Sequence, residues 1–161
     1  MSGVVIRKAR PQDERVLADL DRRTWSGESS AGPRPGVGPH FFDRFHLPEH
    51  FLVAELGGRV VGYLRLVQPV LVASAAHVRQ IQGLGVDHDV RRTGVGLALV
   101  EAACAEARRQ GARRVTLRVL SVNTGARRLY AKAGFHIEGI LREEFYIDGR
   151  YVDDVLMARS V

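Results

Sequence analysis

Apolar and polar positions alternate in short runs along much of the chain, and these runs are separated by helix-period stretches. Val4-Val5-Ile6 predicts a first strand. Pro11 at a first helical position, with Asp13 and Glu14 in the first turn, predicts a helix to about Arg23. Val16, Leu17 and Leu20 give that helix an apolar stripe. Ser26 to Pro39 is rich in Gly, Pro and Ser and reads as a mobile loop, either a lid or binding loop or simple disorder. His40 to His46 carries Phe41, Phe42 and Phe45 and predicts one short helix with an aromatic face, for core packing or for a substrate wall. Phe51 to Leu56, Gly57-Gly58 and Arg59 to Val67 form a hairpin pattern. Pro69 ends its second strand, and Val70 to Ala76 fits no single element.

Val78 to Val86 predicts the next strand, with Gln80 and Gln82 on one face. A basic, glycine-spaced turn follows, and then a helix that ends near Gln110-Gly111, where Gly111 suits a left-handed cap. Arg114 to Leu120 predicts a buried strand, and the next helix starts at Ser121-Val122-Asn123-Thr124 and ends at Gly134. Phe135 to Ile140 and Glu144 to Ile147 are strand-like. Asp148-Gly149 predicts a type I′ turn, with Arg150 to Ala158 returning antiparallel. This order predicts an α/β fold: a mixed α+β sheet of about six to seven strands with helices on both faces, in a single domain over residues 1–161.

Composition narrows the class. Hydrophobic content of 45% and charged content of 26% are ordinary for a soluble domain. Cys104 is the one cysteine, so no internal disulfide forms, and its small-residue helix stripe reads as core. No zinc-type ligand cluster or other metal motif is present, and no signal-peptide core or membrane-length apolar run, which predicts a cytoplasmic protein. The formal charge of +6 is carried almost wholly by arginine; only Lys8 and Lys132 are lysines. The arginines are spread along the chain, and no helix shows a basic face interleaved with aromatics, so neither nucleic acid nor membrane is expected as a partner.

The chemistry concentrates in the turn after Val86. Arg91, Arg92, Thr93, Gly94, Val95, Gly96 and Leu97 lead into a helix start, where free backbone N–H groups and the helix dipole favour an anion. Gly94 and Gly96 would let a ligand approach the main chain without a Cβ in the way. A phosphate or pyrophosphate is the natural ligand; a tight connection with no ligand is the alternative. A nucleotide-triphosphate loop would need Gly-Lys-Ser/Thr, which is absent. A dinucleotide fingerprint would need a third glycine at Leu99 or at His88.

Arg91-x-x-Gly94-x-Gly96 after Leu84-x-Val86 resembles the Arg/Gln-x-x-Gly-x-Gly/Ala signature of the GNAT superfamily of acyl-CoA N-acyltransferases. Asn123-x-x-Ala126-x-x-Leu129-Tyr130-x-x-x-Gly134-Phe135 is similar to the family's pattern after the fifth strand. Glu138-Gly139 through Asp148-Gly149-Arg150-Tyr151 to Met157 resembles the closing hairpin of many bacterial members, so the likeness covers nearly the whole chain. The resemblance implies an N-acetyltransferase using acetyl-CoA as co-substrate, without a metal, by direct attack of a primary amine. That amine belongs to a small molecule, a protein N-terminus or a lysine. A homodimer through the late strands is common in the family.

The resemblance assigns the Arg91–Leu97 turn to the pyrophosphate of coenzyme A, with Arg91 and Arg92 adding charge. Leu84, Gly85 and Val86 would pair with the pantetheine arm. An N–H near Val86 would polarise the thioester carbonyl. Asn123, with Ala126, would bond the arm, although Asn is also a preferred helix cap. Tyr130 would protonate the leaving thiolate, or else pack beside Leu129 and Phe135. Many members carry a glutamate base on the fourth strand; here Gln80 and Gln82 stand on that face, able at most to hold a relaying water. Asp87, His88, Glu143 and Glu144 are further candidates, and His77 lies at the strand's beginning. The missing carboxylate also admits a non-catalytic acyl-CoA-binding sensor. The acceptor pocket is expected from the Ser26–His46 segment and the Glu143–Val152 hairpin; Trp25 either lines it or anchors the helix end, and Asp153 and Asp154 either bind a cationic amine or serve solubility.

Overall fold

A computed structural model describes residues 3–161. The elements follow in the order β1 (Val4–Lys8), α1 (Glu14–Thr24), β2 (Phe51–Leu56), β3 (Arg59–Val67), β4 (Val78–Val86), α2 (Val95–Arg109), β5 (Arg114–Leu120), α3 (Thr124–Lys132), β6 (His136–Ile147) and β7 (Arg150–Ser160). All seven strands form one sheet in the order β1-β2-β3-β4-β5-β7-β6. Among the described residues only β4 and β5 pair in parallel, joined through α2; every other neighbour is antiparallel. The α/β mixed sheet expected from the sequence is thus the observed one.

The two faces of the sheet are covered differently. On one, Leu99, Val100 and Ala103 of α2 and Tyr130 of α3 pack with Val61, Leu64, Val115 and Leu117. Cys104 sits in this core, and its burial pushes the thiol pKa up, which suits packing rather than nucleophilic chemistry. On the other face, Leu17 and Leu20 of α1 pack on Phe51, Val53, Val60 and Tyr63, with Phe41 and Phe42 closing the edge. The start of α1 is fixed by charge. Asp13 is buried, receives two N–H bonds from Arg7 at 2.8 and 2.9 Å, and accepts the Arg10 amide at 2.7 Å.

The expected glycine turns have the required geometry. Gly57 and Gly58 have φ of 59° and 78°, and Asp148 and Gly149 have φ of 50° and 78°, so both central residues of each hairpin turn are left-handed. Three expectations change. His40 to His46 is not a helix. The Phe41 and Phe42 amides donate to Glu14 Oε2 at 3.0 and 2.9 Å, and the Phe45 and His46 amides donate to Asp43 Oδ1. Side-chain carboxylates thereby satisfy the backbone of a segment too short to nucleate a helix. Phe45 is also 62% exposed, so the three phenylalanines share no face. The strand-like runs Phe135 to Ile140 and Glu144 to Ile147 belong to one bent strand, β6, with a register shift between Leu141 and Phe145. Glu143 takes φ of 52° there, and its amide donates to Asp153 at 2.9 Å. Val70 to Ala76 contains a single turn of tight helix over Ala73–Ala75.

The Arg7 hydrogen bonds hold the Asp13 carboxyl below its ordinary pKa, against the opposing effect of burial. A depressed folded-state pKa contributes stability above the unfolded value, near 3.9, that is lost as pH falls through the folded one. Urea unfolding between pH 2 and pH 6 should therefore show the wild type losing more stability on acidification than Asp13→Asn. The variant should be the less stable of the two at pH 6.

Candidate active site

The site begins where β4 leaves β5. Their parallel pairing runs from Val78 beside Arg114 to Ile81 beside Leu117 and stops there, while both strands continue. A bulge marks the same place on the other side. Leu64 pairs with Leu84 and Leu66 with Ile81, so Gln82 and Gly83 together oppose the single Arg65. Beyond it the Asp87 amide donates to Val61 O of β3 at 2.8 Å. By strand alternation the N–H groups of Val86 and Leu84 point the other way, into the gap left by β5. Gly85 lies on the α1 face, where a Cβ would come within 2.6 Å of the Tyr63 ring.

At the mouth of this gap the chain turns into α2. Arg91 Nε donates to Val86 O at 3.1 Å, and the Thr93 hydroxyl donates to Val90 O. Arg92 and Gly94 take positive φ, 63° and 93°, on either side of Thr93. Alternation of left- and right-handed residues curls successive amides toward one point. Gly94 caps α2 without a side-chain bond. Among the described residues, none of the N–H groups from Arg92 to Leu97 makes a well-formed hydrogen bond within the protein, although Arg91 to Gly94 close a turn. The turn is therefore a ready anion cradle at a helix start. The two glycines differ in what they do. A Cβ on Gly94 would meet open space, and its φ is the reason for glycine. A Cβ on Gly96 would meet Leu129 Cδ2 at 3.1 Å, so Gly96 clears α3 rather than a ligand.

A cavity of about 630 Å³ fills the gap. Gln80 to Leu84 line one wall, and Arg118 to Leu120, Asn123, Ala126 and Tyr130 the other. Asn123 caps α3 by accepting the Ala126 amide at 3.2 Å on Oδ1, which leaves its NH2 for the cavity, so capping and ligand binding are compatible. Tyr130 is 7% exposed, and among the described residues no side chain or backbone group bonds its hydroxyl. Burial pushes its pKa well above that of an ordinary phenol, so it is protonated and able to donate at neutral pH.

The model of the acetyltransferase (GNAT) family matches residues 16–135. An N-alpha-acetyltransferase of Sulfurisphaera tokodaii is 35% identical over 133 residues, covering 74% of this chain and 76% of that one. The chain belongs to the GNAT family. Among solved structures, smu.2055 of Streptococcus mutans aligns with a TM-score of 0.84 at 28% identity, over 97% of this chain and 98% of that one. The yncA protein of Salmonella typhimurium, solved with its cofactor acetyl-CoA, has the same fold at a TM-score of 0.84 and 21% identity, over 99% and 94% of the two chains.

In this GNAT chain the proposed bases do not gather at the cavity. Asp87 is buried between Arg23, at 2.9 Å, and Arg59, at 3.3 Å. Burial raises its pKa, but the two guanidinium groups outweigh that and hold it below the usual carboxylate range. His88 Nε2 lies 3.1 Å from the Arg23 carbonyl. Asp87, His88, Glu143, Glu144 and His77 are all absent from the cavity lining. Gln80 and Gln82 line it but are tied into a chain. Arg65 donates to Gln82 Oε1 at 2.9 Å, Gln82 to Gln80 Oε1 at 2.7 Å and Gln80 to Thr116 Oγ1 at 3.2 Å.

Asp153 holds Arg142 and the Glu143 amide instead of lining the cavity. Asp154 does line it, 2% exposed and bonded by Arg118. The early loop contributes Trp25 and parts of Ser29 to Pro35, with the Trp25 indole N–H on Gly32 O at 3.1 Å. The late hairpin contributes Phe145. Sequence reading missed Tyr63 and Asp21, whose side chains meet at 2.6 Å in the cavity wall. The available signal was Asp21 flanking the apolar stripe of α1.

Gly96→Ala should push Leu129 aside and lower unfolding free energy by about 1–3 kcal/mol. Urea denaturation of the apo protein would read this, with no ligand involved.

Proposed function

We propose that this chain is an acetyl-CoA-dependent N-acetyltransferase acting on a primary amine. One observation carries the reading: a strand edge freed by the β4–β5 parting runs straight into a turn of unbonded amides, with a protonated, unpartnered tyrosine in the same cavity. The family and the fold shared with an acetyl-CoA-bound neighbour support the same donor.

The residues fit that donor in sequence along the gap. The amides from Arg92 to Leu97, with the Arg91 and Arg92 charges, hold the pyrophosphate. The edge of β4 through Leu84, Gly85 and Val86 takes the pantetheine arm as an added strand would, with Asn123 and the Ala126 turn opposite. Val86 and Leu84 both aim an N–H into the gap. Leu84 lines the same cavity as Tyr130 and Val86 does not, which favours the Leu84 amide to polarise the acyl carbonyl. Acetyl-CoA supplies an activated acetyl group. The amine nitrogen forms its bond to the acetyl carbon as the carbon–sulfur bond breaks, without an acyl-enzyme. Of the two protons the ammonium gives up, one replaces the proton that Tyr130 delivers to sulfur and one leaves to solvent. Gln80 and Gln82 each keep a second carbonyl lone pair for a relaying water. The tied glutamines and the lack of a β4 carboxylate favour one second reading, a non-catalytic acyl-CoA sensor.

Calorimetric titration with acetyl-CoA should show saturable binding and thermal stabilisation. Gly94→Glu should abolish both by placing a like charge in the cradle, and no wild-type binding at millimolar acetyl-CoA would overturn the reading. Tyr130→Phe should lower turnover by about 10²–10⁴-fold while leaving acetyl-CoA affinity unchanged. Thiol release over a panel of primary amines separates enzyme from sensor: turnover excludes the sensor, and donor binding without turnover of any amine favours it.

A further inference from the structure

We propose that Asp21 is the specificity-determining residue that receives the acceptor's ammonium group. This rests on the acyl-donor reading above. A second cavity of about 260 Å³ adjoins the first and shares a wall of Asp21, Tyr63, Gln82 and Gly83 with it. The first cavity holds the acyl end of the donor; the second leads to it from the opposite side of that wall.

Two carboxylates line the donor cavity, Asp21 and Asp154. Asp154 is occupied by the Arg118 guanidinium. Asp21 differs. Its Oδ1 accepts the Tyr63 hydroxyl at 2.6 Å, and among the described residues no Lys, Arg or His pairs with it. Tyr63 is buried, and its pKa is raised by desolvation and by the Asp21 charge, so it stays a donor and orients the carboxylate. Among the described residues Oδ2 has no protein partner. An oriented carboxylate with one free oxygen, in a cavity also lined by Tyr63, Phe41 and Phe51, suits an ammonium on an apolar stem. The second cavity is also lined by His40, by Asp43 paired with His46, and by Arg65, which donates to Gln82 and the Phe45 carbonyl and keeps its Nε unbonded among the described residues.

Two thioethers of coenzyme A test this without turnover. S-(2-aminoethyl)-coenzyme A carries an ammonium two carbons from sulfur, close to where an attacking amine stands; S-propyl-coenzyme A is its uncharged counterpart. By calorimetry the wild type should bind the aminoethyl compound about tenfold or more tighter than the propyl compound. Asp21→Asn should bring the two within about threefold while leaving the propyl affinity unchanged, which also reports that the variant is folded. Asp21→Ser serves as a second variant. Equal affinities in the wild type, or a preference that survives both variants, would overturn the proposal. Failure of both thioethers to bind would instead overturn the donor reading on which it rests.

Discussion

The parting of β4 from β5 after Ile81 and Leu117 is the constraint on which the rest depends. A parallel pair inside a covered sheet would ordinarily bond along its whole length. Here the bulge of Gln82 and Gly83 against Arg65 re-aims β4, and the lost pairing leaves a polar edge that needs partners. The turn after Val86 closes the mouth of the gap, α3 supplies Asn123 and Tyr130 from one side, and α1 with β3 supplies Asp21 and Tyr63 from the other.

The surrounding packing keeps the gap open. Tyr63 fills the space over Gly85, where any larger residue would collide with its ring. Gly96 lets α2 approach Leu129 of α3, which sets α3 where Tyr130 enters the cavity. The Arg23–Asp87–Arg59 pairing fixes the chain between β4 and the cradle to both α1 and β3. Stability and site geometry therefore share residues, and a packing change at Gly96 or Tyr63 acts on both.

Much of this was legible in the sequence because it is local. The spacing Arg91-x-x-Gly94-x-Gly96, the Asn123 to Phe135 pattern and the paired turn residues at 57–58 and 148–149 each fix geometry within a few residues. The elements they connect then fix the sheet. What stayed hidden is set by residues far apart in the chain. Asp21 meets Tyr63 across 42 positions and Arg118 meets Asp154 across 36. Gly96 looked like clearance for a ligand until Leu129 was placed against it. The Phe41–Phe45 run looked helical because its aromatics outweighed Glu14 and Asp43, whose carboxylates take the amides.

The central claim is that the freed edge of β4 and the turn after it form one continuous surface for an acyl-CoA. Amide chemical shifts followed during titration with acetyl-CoA test it residue by residue. The account predicts saturable shifts at Leu84, Val86 and every residue from Arg92 to Leu97, with one common affinity. Shifts confined to other surfaces, or separate affinities for the strand edge and the turn, would contradict it.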